Sequence, residues 1–232
     1  MRVIAHRGAS GHRPENTLPA YELAIEMRSD MIEIDLHKTK DGRIAITHDA
    51  ELPGLGEIAS HTLEELQSLD MGEGEKIPDL DEVLDGFASR IPFNLEIKWG
   101  TGGDYDGLEE QALEALRKRG LGDDILFSCF RRSVLARLRD LDPTARLALL
   151  ISPRSSSYPL DTALEHAAAL GCEGLNPHWS QVDERLVARA HGAGLAVSVY
   201  TVNEITAMRR MLELGVDGIF TNFPDRLRSL ID

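Results

Sequence analysis

Residues 2–36 read RVIAHRGASGHRPENTLPAYELAIEMRSDMIEIDL, and this stretch decides the fold class. It begins and ends with short β-rich runs, at 2–6 and 31–36. Between them, apolar residues near i, i+3, i+4 spacing predict a helix over 17–28. A strand, a helix and a second strand in this order form the unit that makes neighbouring strands parallel. The stretch therefore predicts an α/β protein built on a parallel sheet.

The same alternation continues to the end of the chain. Further strands are predicted at 92–98, 125–130, 146–152, 174–178, 196–202 and 218–221, and further helices at 105–119, 131–141, 160–170, 183–192 and 203–214. Eight strands suit a closed TIM-type (β/α)8 barrel, and such barrels use about 250 residues for one domain. We expect one domain over 1–232. An open doubly wound sheet has the same local pattern, but 8–12 (GASGH) lacks the dinucleotide-binding sequence G-x-G-x-x-G.

One segment interrupts the alternation after the second strand. Asp41-Gly42 precedes an apolar run at 43–47, and an Asp-Gly pair is typical of a β-hairpin. Because parallel neighbours need a crossover of about a dozen residues, 43–47 should run antiparallel as an arm that carries His48 over the barrel mouth. Residues 50–91 contain more Gly and Pro, with short helices at 62–69 and 79–89. We expect a small insertion over the mouth, without a core of its own.

The charge and the termini restrict the possible partners. The formal net charge is −14, so nucleic acid is an unfavourable partner, and an anionic substrate needs local positive charge. No signal peptide, membrane-spanning stretch or lipidation motif is apparent, which predicts a cytoplasmic protein without stable membrane association. Cys129 and Cys172 are then expected to be reduced, buried residues. The composition leaves the oligomeric state open.

Polar residues end several of the predicted strands, where the active site of a βα-barrel lies. His6-Arg7 ends the first strand, and the arm ends in His48-Asp49. In the second and third strands the polar pairs are Glu33 with Asp35 and Glu96 with Lys98. Members of each pair are two residues apart, so they share one face of their strand. Ile34 and Ile97 should face the helices, which turns both polar pairs toward the barrel axis.

Three carboxylates that meet in one site repel one another unless a positive charge lies between them. A divalent cation would supply that charge, and oxygen ligands without a nearby cysteine favour Mg²⁺ or Ca²⁺. Arg7 and Lys98 add positive charge suited to a phosphate group. His6 and His48 could divide general acid and base catalysis, because imidazole titrates near neutral pH.

These residues form an ordered set of motifs that resembles the glycerophosphodiester phosphodiesterase family. The set comprises His6-Arg7-Gly8, Pro14-Glu15-Asn16-Thr17, Glu33-x-Asp35, Asp41-Gly42, His48-Asp49 and Glu96-x-Lys98, with weaker similarity at 200–203 and 215–219. The resemblance implies a barrel enzyme that uses one divalent cation to cleave a glycerophosphodiester into sn-glycerol 3-phosphate and an alcohol, a reaction of lipid and glycerol metabolism. It implies that Glu33, Asp35 and Glu96 bind the metal, that His6 and His48 transfer protons, and that Arg7 and Lys98 contact phosphate.

Two positions depart from the family pattern. Tyr200 stands where Trp is common, and Asn222 stands where Asp is common. We expect both changes to affect the apolar lining and the leaving-group preference, without touching the metal or proton-transfer groups. Tyr200 and Glu15 are candidate substrate-binding residues, although 15–17 could equally cap the first helix.

The remaining motifs have structural interpretations. Asn203 is predicted to cap the helix at 203–214 and Gly215 to end it. Six histidines lie outside these motifs: His12, His37, His61, His166, His178 and His191. Most of them should lie at the surface, and His178 is a candidate substrate contact. Trp99 and Trp179 could line the pocket or pack structurally.

Two alternatives to this activity remain open at the level of sequence. One is a catalytically silent barrel that binds phosphorylated ligands. The other is a phospholipase-type phosphodiesterase of the same fold.

Overall fold

The computed structural model describes residues 1–153 and 160–232. In chain order its strands are β1 (Arg2–His6), β2 (Met31–Lys38), β3 (Ile44–Ile46), β4 (Glu51–Leu52), β5 (Gly56–Glu57), β6 (Phe93–Ile97), β7 (Ile125–Cys129), β8 (Leu147–Ile151), β9 (Gly174–Pro177), β10 (Ala196–Val199) and β11 (Gly218–Thr221). Its helices are α1 (Leu18–Glu26), α2 (Leu63–Leu66), α3 (Leu80–Phe87), α4 (Leu108–Arg117), α5 (Arg132–Leu141), α6 (Leu160–Ala169), α7 (Glu184–Gly192), α8 (Ile205–Glu213) and α9 (Pro224–Ile231).

Within the described ranges, eight parallel strands close into a barrel. They follow one another around the sheet in chain order as β1, β2 and β6 to β11, and β1 pairs with both β2 and β11. The register of closure joins Ala5 to Thr221 on one side and His6 to Glu33 on the other. The (β/α)8 fold class predicted from the sequence is confirmed. The terminal helix α9 was not among the predicted helices.

The two faces of each barrel strand have different neighbours. In β2, Ile32, Ile34 and Leu36 belong to the main hydrophobic core with residues from the surrounding helices, and all three are fully buried. Glu33 and Asp35 therefore point to the barrel interior, because successive side chains alternate between faces. A second apolar cluster fills the interior; its members are Ile4, Met31, Leu126, Ala148 and Phe220.

The Asp41-Gly42 hairpin forms as predicted. β3 pairs antiparallel with β2, with Leu36 opposite Ile46. Gly42 takes a φ of +75°, which suits a residue without a side chain, and Thr39 Oγ1 donates a hydrogen bond of 2.6 Å to Asp41 Oδ1. The arm therefore leaves the sheet as a short ribbon and places His48 two residues beyond its end.

The segment at 50–91 contains two different structures. Apolar residues from the arm and its continuation form a cluster separate from the main core: Ala45, Leu52, Ile58, Leu63, Leu66 and Ile77. The expectation that this segment lacks a core of its own is therefore wrong, because the arm supplies one wall for residues far apart in sequence. By contrast, α3 buries its apolar face in the main core. The boundaries of the insertion stay a prediction.

The predicted cap of α8 is wrong, whereas its predicted end is confirmed. The residue at the N-cap position is Glu204, which makes no side-chain cap hydrogen bond. Asn203 instead accepts a hydrogen bond of 2.9 Å from the backbone N–H of Asn222, because its side chain reaches across to the end of β11. Gly215 follows the helix with a φ of +73°, the conformation that glycine adopts most readily.

Both cysteines are buried free thiols in the described part of the chain, as predicted. Burial raises the pKa of Cys129 to about 12 and that of Cys172 to about 11. Both thiols therefore stay protonated at neutral pH.

No helix in the described ranges combines the length and apolar composition required to cross a membrane.

Gly8 should be essential for stability, because it packs directly against α1. It has a φ of +79°, and a Cβ atom built on it would lie 2.7 Å from the carbonyl carbon of Ala20. We expect Gly8→Ala to lower the free energy of unfolding by about 2–4 kcal/mol, from the left-handed backbone together with overpacking. Urea denaturation monitored by circular dichroism measures the change.

Gly86→Ala is the matched control for this substitution. Gly86 lies in α3, and a Cβ atom there would meet nothing within 4 Å. It should leave stability unchanged or raise it by about 0.5–1 kcal/mol. Equal unfolding midpoints for the two variants would contradict the packing explanation.

Candidate active site

A cavity of about 170 Å³ opens at the carboxyl ends of the barrel strands. Seven of the nine predicted site residues line it: His6, Arg7, Glu33, His48, Glu96, Lys98 and Tyr200. A larger groove, about 420 Å³, lies between the arm and α4 and contains none of the predicted site residues. The smaller cavity is therefore the candidate active site, since it collects the groups that can do chemistry.

Three buried carboxylates meet at this cavity. Asp35 and Glu96 are neighbours in the register between β2 and β6, and Glu33 lies two residues before Asp35 on the same face. One carboxylate oxygen from each residue can be chosen so that all three lie within 4.8 Å of one another. The three side chains therefore converge, as the alternation along their strands predicts.

The burial and mutual repulsion of the three carboxylates favour a bound cation. Glu33 Oε1 is buried and has no hydrogen-bond partner within the described ranges. Burial, followed by the charges of Asp35 and Glu96, raises the pKa of Glu33 well above its ordinary value. Burial also opposes ionisation of Asp35, but Lys98 and Arg7 hold the pKa of Asp35 below its usual range. A divalent ion among these oxygens would satisfy the orphaned atom and offset the repulsion.

Two cationic side chains border the carboxylates. Lys98 Nζ lies 2.7 Å from Glu96 Oε1 and 3.2 Å from Asp35 Oδ1. Arg7 Nε lies 3.3 Å from Asp35 Oδ2. Although burial favours the neutral form of Lys98, the charges of Asp35 and Glu96 raise its pKa. Both cations stay charged beside the cavity, where they offset part of the negative charge of the chain.

The segment after β1 has two strained backbone positions and contacts both Arg7 and Asp35. Arg7 and Asn16 both have positive φ angles, +59° and +56°, a conformation that costs a residue other than glycine about 1–2 kcal/mol. Glu15 accepts hydrogen bonds from Arg7 Nη1 with both carboxylate oxygens, each at 2.8 Å. Asn16 Nδ2 donates to Asp35 Oδ2 at 2.9 Å. This segment therefore contacts the site residues through Glu15 and Asn16, whereas Thr17 at the N-cap of α1 makes no side-chain cap hydrogen bond.

His6 has a neutral partner. Its Nδ1 lies 2.8 Å from Asn222 Oδ1, and because an amide oxygen only accepts, Nδ1 carries the hydrogen. Burial, together with the positive charge of Arg7, lowers the pKa of His6 to about 3. The ring is therefore neutral at neutral pH, with Nε2 free to accept a proton. The expectation that position 222 touches no proton-transfer group is wrong, because β11 ends next to β1 in the closed barrel.

His48 has a charged partner and a supported backbone. Its Nδ1 lies 2.7 Å from Asp49 Oδ1. Its carbonyl oxygen lies 3.1 Å from Nε2 of His37, a residue of β2. His37 is 1% exposed, so it is an exception among the six histidines of which most were expected at the surface, because its position in β2 continues the inward-facing row of Glu33 and Asp35. Burial lowers the pKa of His37 to about 4.

Aromatic residues form one wall of the cavity. The Tyr200 hydroxyl donates to the carbonyl of Ile151 at 2.6 Å, which leaves its ring beside Phe130 at a centroid distance of 5.7 Å. His178 and Trp99 pack against these rings from behind and, like Trp179, are not among the cavity-lining residues. The wall is therefore apolar, with Tyr200 as the only one of these four candidates that lines the cavity.

Sequence reasoning missed Asn94, Phe130 and Leu150, which also line the cavity. Asn94 lies two residues before Glu96 in β6 and is fully buried. The alternation that singled out Glu96 and Lys98 would have found it if it had been followed one step toward the N-terminus. No comparable motif marks Phe130 or Leu150.

Comparisons with known proteins show the family of this chain. Residues 6–226 match the model of the glycerophosphoryl diester phosphodiesterase family. A glycerophosphodiester phosphodiesterase of Bacillus subtilis is 33% identical, covering 96% of this chain and 84% of its own length. An Oleispira antarctica phosphodiesterase, solved in complex with the product sn-glycerol-3-phosphate, is 32% identical with a TM-score of 0.87, covering 100% of this chain and 97% of its own. The chain therefore belongs to the glycerophosphoryl diester phosphodiesterase family.

Proposed function

We propose that this chain hydrolyses glycerophosphodiesters to sn-glycerol 3-phosphate and an alcohol, with one divalent cation and with His6 and His48 as the proton-transfer pair. The observation that carries the proposal is the meeting of Glu33, Asp35 and Glu96 within 4.8 Å, in a cavity that both histidines line. The product named for the Oleispira antarctica relative supports the same substrate class.

The carboxylates would hold Mg²⁺ or Ca²⁺. When bound, such a cation offsets the charge of the phosphoryl oxygens and acidifies a coordinated hydroxyl group or water. Arg7 and Lys98 line the same cavity and bring fixed positive charge to an anionic substrate. Arg7 can present a planar pair of donors to phosphate oxygens, whereas Lys98 acts as a point charge. Glu15 holds the Arg7 guanidinium from outside the cavity.

The two histidines differ in a way that suits opposite roles. His6 is neutral with Nε2 unprotonated, so we assign it the removal of a proton from the glycerol 2-hydroxyl group that attacks phosphorus. Water then opens the resulting cyclic phosphate to give sn-glycerol 3-phosphate. His48 keeps the Asp49 carboxylate at Nδ1, which balances the positive charge that the ring carries while it delivers a proton to the leaving oxygen. Tyr200 and Phe130 would then border the leaving alcohol.

The direct test is release of glycerol 3-phosphate from a panel of glycerophosphodiesters with choline, ethanolamine, glycerol and inositol as the alcohol. The purified chain should release it from at least one substrate, lose the activity with a chelator and regain it with Mg²⁺ or Ca²⁺. Product release that resists the chelator contradicts the cation requirement. Binding of glycerol 3-phosphate without turnover of any substrate would identify a catalytically silent phospho-ligand-binding barrel instead.

A further inference from the structure

His37 connects two segments that border the active site. Its Nε2 lies 3.1 Å from the carbonyl oxygen of His48, and its Nδ1 lies 2.7 Å from the hydroxyl of Tyr105. A carbonyl oxygen only accepts, so Nε2 carries the hydrogen and the Tyr105 hydroxyl donates to Nδ1. Both ring nitrogens of the neutral imidazole are therefore satisfied inside the protein.

Within the described ranges, the backbone of His48 makes no hydrogen bond to another backbone group. The arm ends with Ile46, and beyond it the N–H of Thr47 donates to the carbonyl of Asp35 at 3.1 Å. His48 lies outside the strand, with 37% of its side chain exposed. His37 comes from the rigid barrel strand β2, so its bond ties the position of His48 to the barrel itself.

Tyr105 belongs to the loop between β6 and α4. Its ring meets the His37 ring edge to face at a centroid distance of 5.6 Å. The loop is joined to β2 a second time, because Lys38 Nζ donates to the carbonyl of Asp106. The Tyr105 hydroxyl thus orients the His37 ring so that Nε2 points at His48.

We propose that His37 is a positioning residue for the reaction, held by Tyr105, which sets the place of His48 through its main-chain carbonyl. The inference rests on the proposed proton-transfer role of His48. A proton donor must lie within hydrogen-bond distance of the leaving oxygen, and a displacement of about 1 Å can reduce the rate about 10²-fold. Loss of the His37 hydrogen bond should therefore reduce kcat, whereas KM should change little because Arg7 and the carboxylates remain in place.

Three variants test the proposal through steady-state kinetics on a glycerophosphodiester that the parental enzyme cleaves. We expect His37→Leu to lower kcat by about 10- to 100-fold and Tyr105→Phe by about 3- to 10-fold, both with KM within about twofold. His37→Gln keeps a side-chain donor for the His48 carbonyl, so it should recover most of the kcat lost in His37→Leu. Circular dichroism and cation titration give the folded, cation-binding fraction by which kcat is normalised.

His61→Gln is the matched control. His61 Nε2 also lies 3.1 Å from a backbone carbonyl, that of Leu55, but the residue does not line the cavity. It should retain parental kcat and KM. If His37→Leu fails to fold, Tyr105→Phe still tests the positioning role of His37, because it removes only the hydroxyl group.

The outcomes separate the two proposals. Parental kcat in Tyr105→Phe and His37→Leu, with His48→Ala inactive, overturns the positioning role and leaves the proposed function standing. Parental kcat in His48→Ala overturns the proton-transfer role and the positioning role together. A fall in kcat for His37→Leu that His37→Gln does not reverse would assign His37 to packing alone and also overturns the proposal.

Discussion

Alanine at His6 or His48 is expected to reduce kcat by about 10²- to 10⁴-fold, the range typical for loss of a positioned general acid or base. Both rings line the cavity with the carboxylates, and each has a single defined partner at Nδ1, Asn222 for His6 and Asp49 for His48. KM should change little, because the phosphate contacts proposed for Arg7 and Lys98 remain. The measurement is the initial rate of glycerol 3-phosphate release at saturating substrate.

His191→Ala is the control for the loss of an imidazole. His191 Nε2 lies 2.7 Å from Asp217 Oδ2. Asp217 comes just before the first residue of β11, so this pair lies at the opposite end of the barrel from the cavity. It should keep the parental rate. Near-parental turnover in both His6→Ala and His48→Ala would refute the assignment of the pair.

Replacing Glu33 by glutamine should weaken cation binding by at least about tenfold, which corresponds to about 1.4 kcal/mol. Glu33 is 1% exposed, and its Oε1 makes no hydrogen bond in the described part of the chain. Glutamine has nearly the same shape but lacks the charge, and an amide nitrogen in place of one oxygen cannot bind a hard cation. Isothermal titration calorimetry with Mg²⁺ and Ca²⁺ measures the change independently of activity.

Glu22→Gln provides the comparison for charge alone. Glu22 lies on α1 in an exposed pair with Arg90, and its substitution removes the same single negative charge. Its cation affinity should match that of the parent within about twofold, because Glu22 is exposed, does not line the cavity and is screened by salt. Equal affinities for Glu33→Gln and Glu22→Gln would show that the ion, if bound, lies elsewhere.

The barrel and the carboxylate cluster could be predicted because their periodicity is local. Alternation places Glu33 and Asp35 on one face of a strand, and Glu96 with Lys98 on one face of another. Parallel strands then bring those faces to the same end of the barrel. The Asp41-Gly42 turn determined the direction of β3 for an equally local reason, since the turn type suits only antiparallel strands.

The errors concern contacts between segments that are far apart in sequence. Asn203 and Asn222 lie on the loops that follow β10 and β11, and closure of the sheet brings β11 beside β1. The Asn203 side chain, which the local sequence predicts as a helix cap, therefore bonds a residue that is more distant in sequence. The separate apolar cluster around Ile58 was missed for a similar reason, since its members are spread between residues 45 and 77 and meet only in the tertiary structure.

By itself, the sequence determined the fold class, the family resemblance and the identity of the groups that can bind a cation or transfer a proton. These properties follow from spacing along single strands and turns. Only the tertiary structure decided which neighbour each group has: Asn222 beside His6, His37 beneath His48, and Asn16 on Asp35. Such pairings depend on how the barrel closes and how its loops pack, and the strength of a hydrogen bond depends on distances that spacing along the chain does not contain.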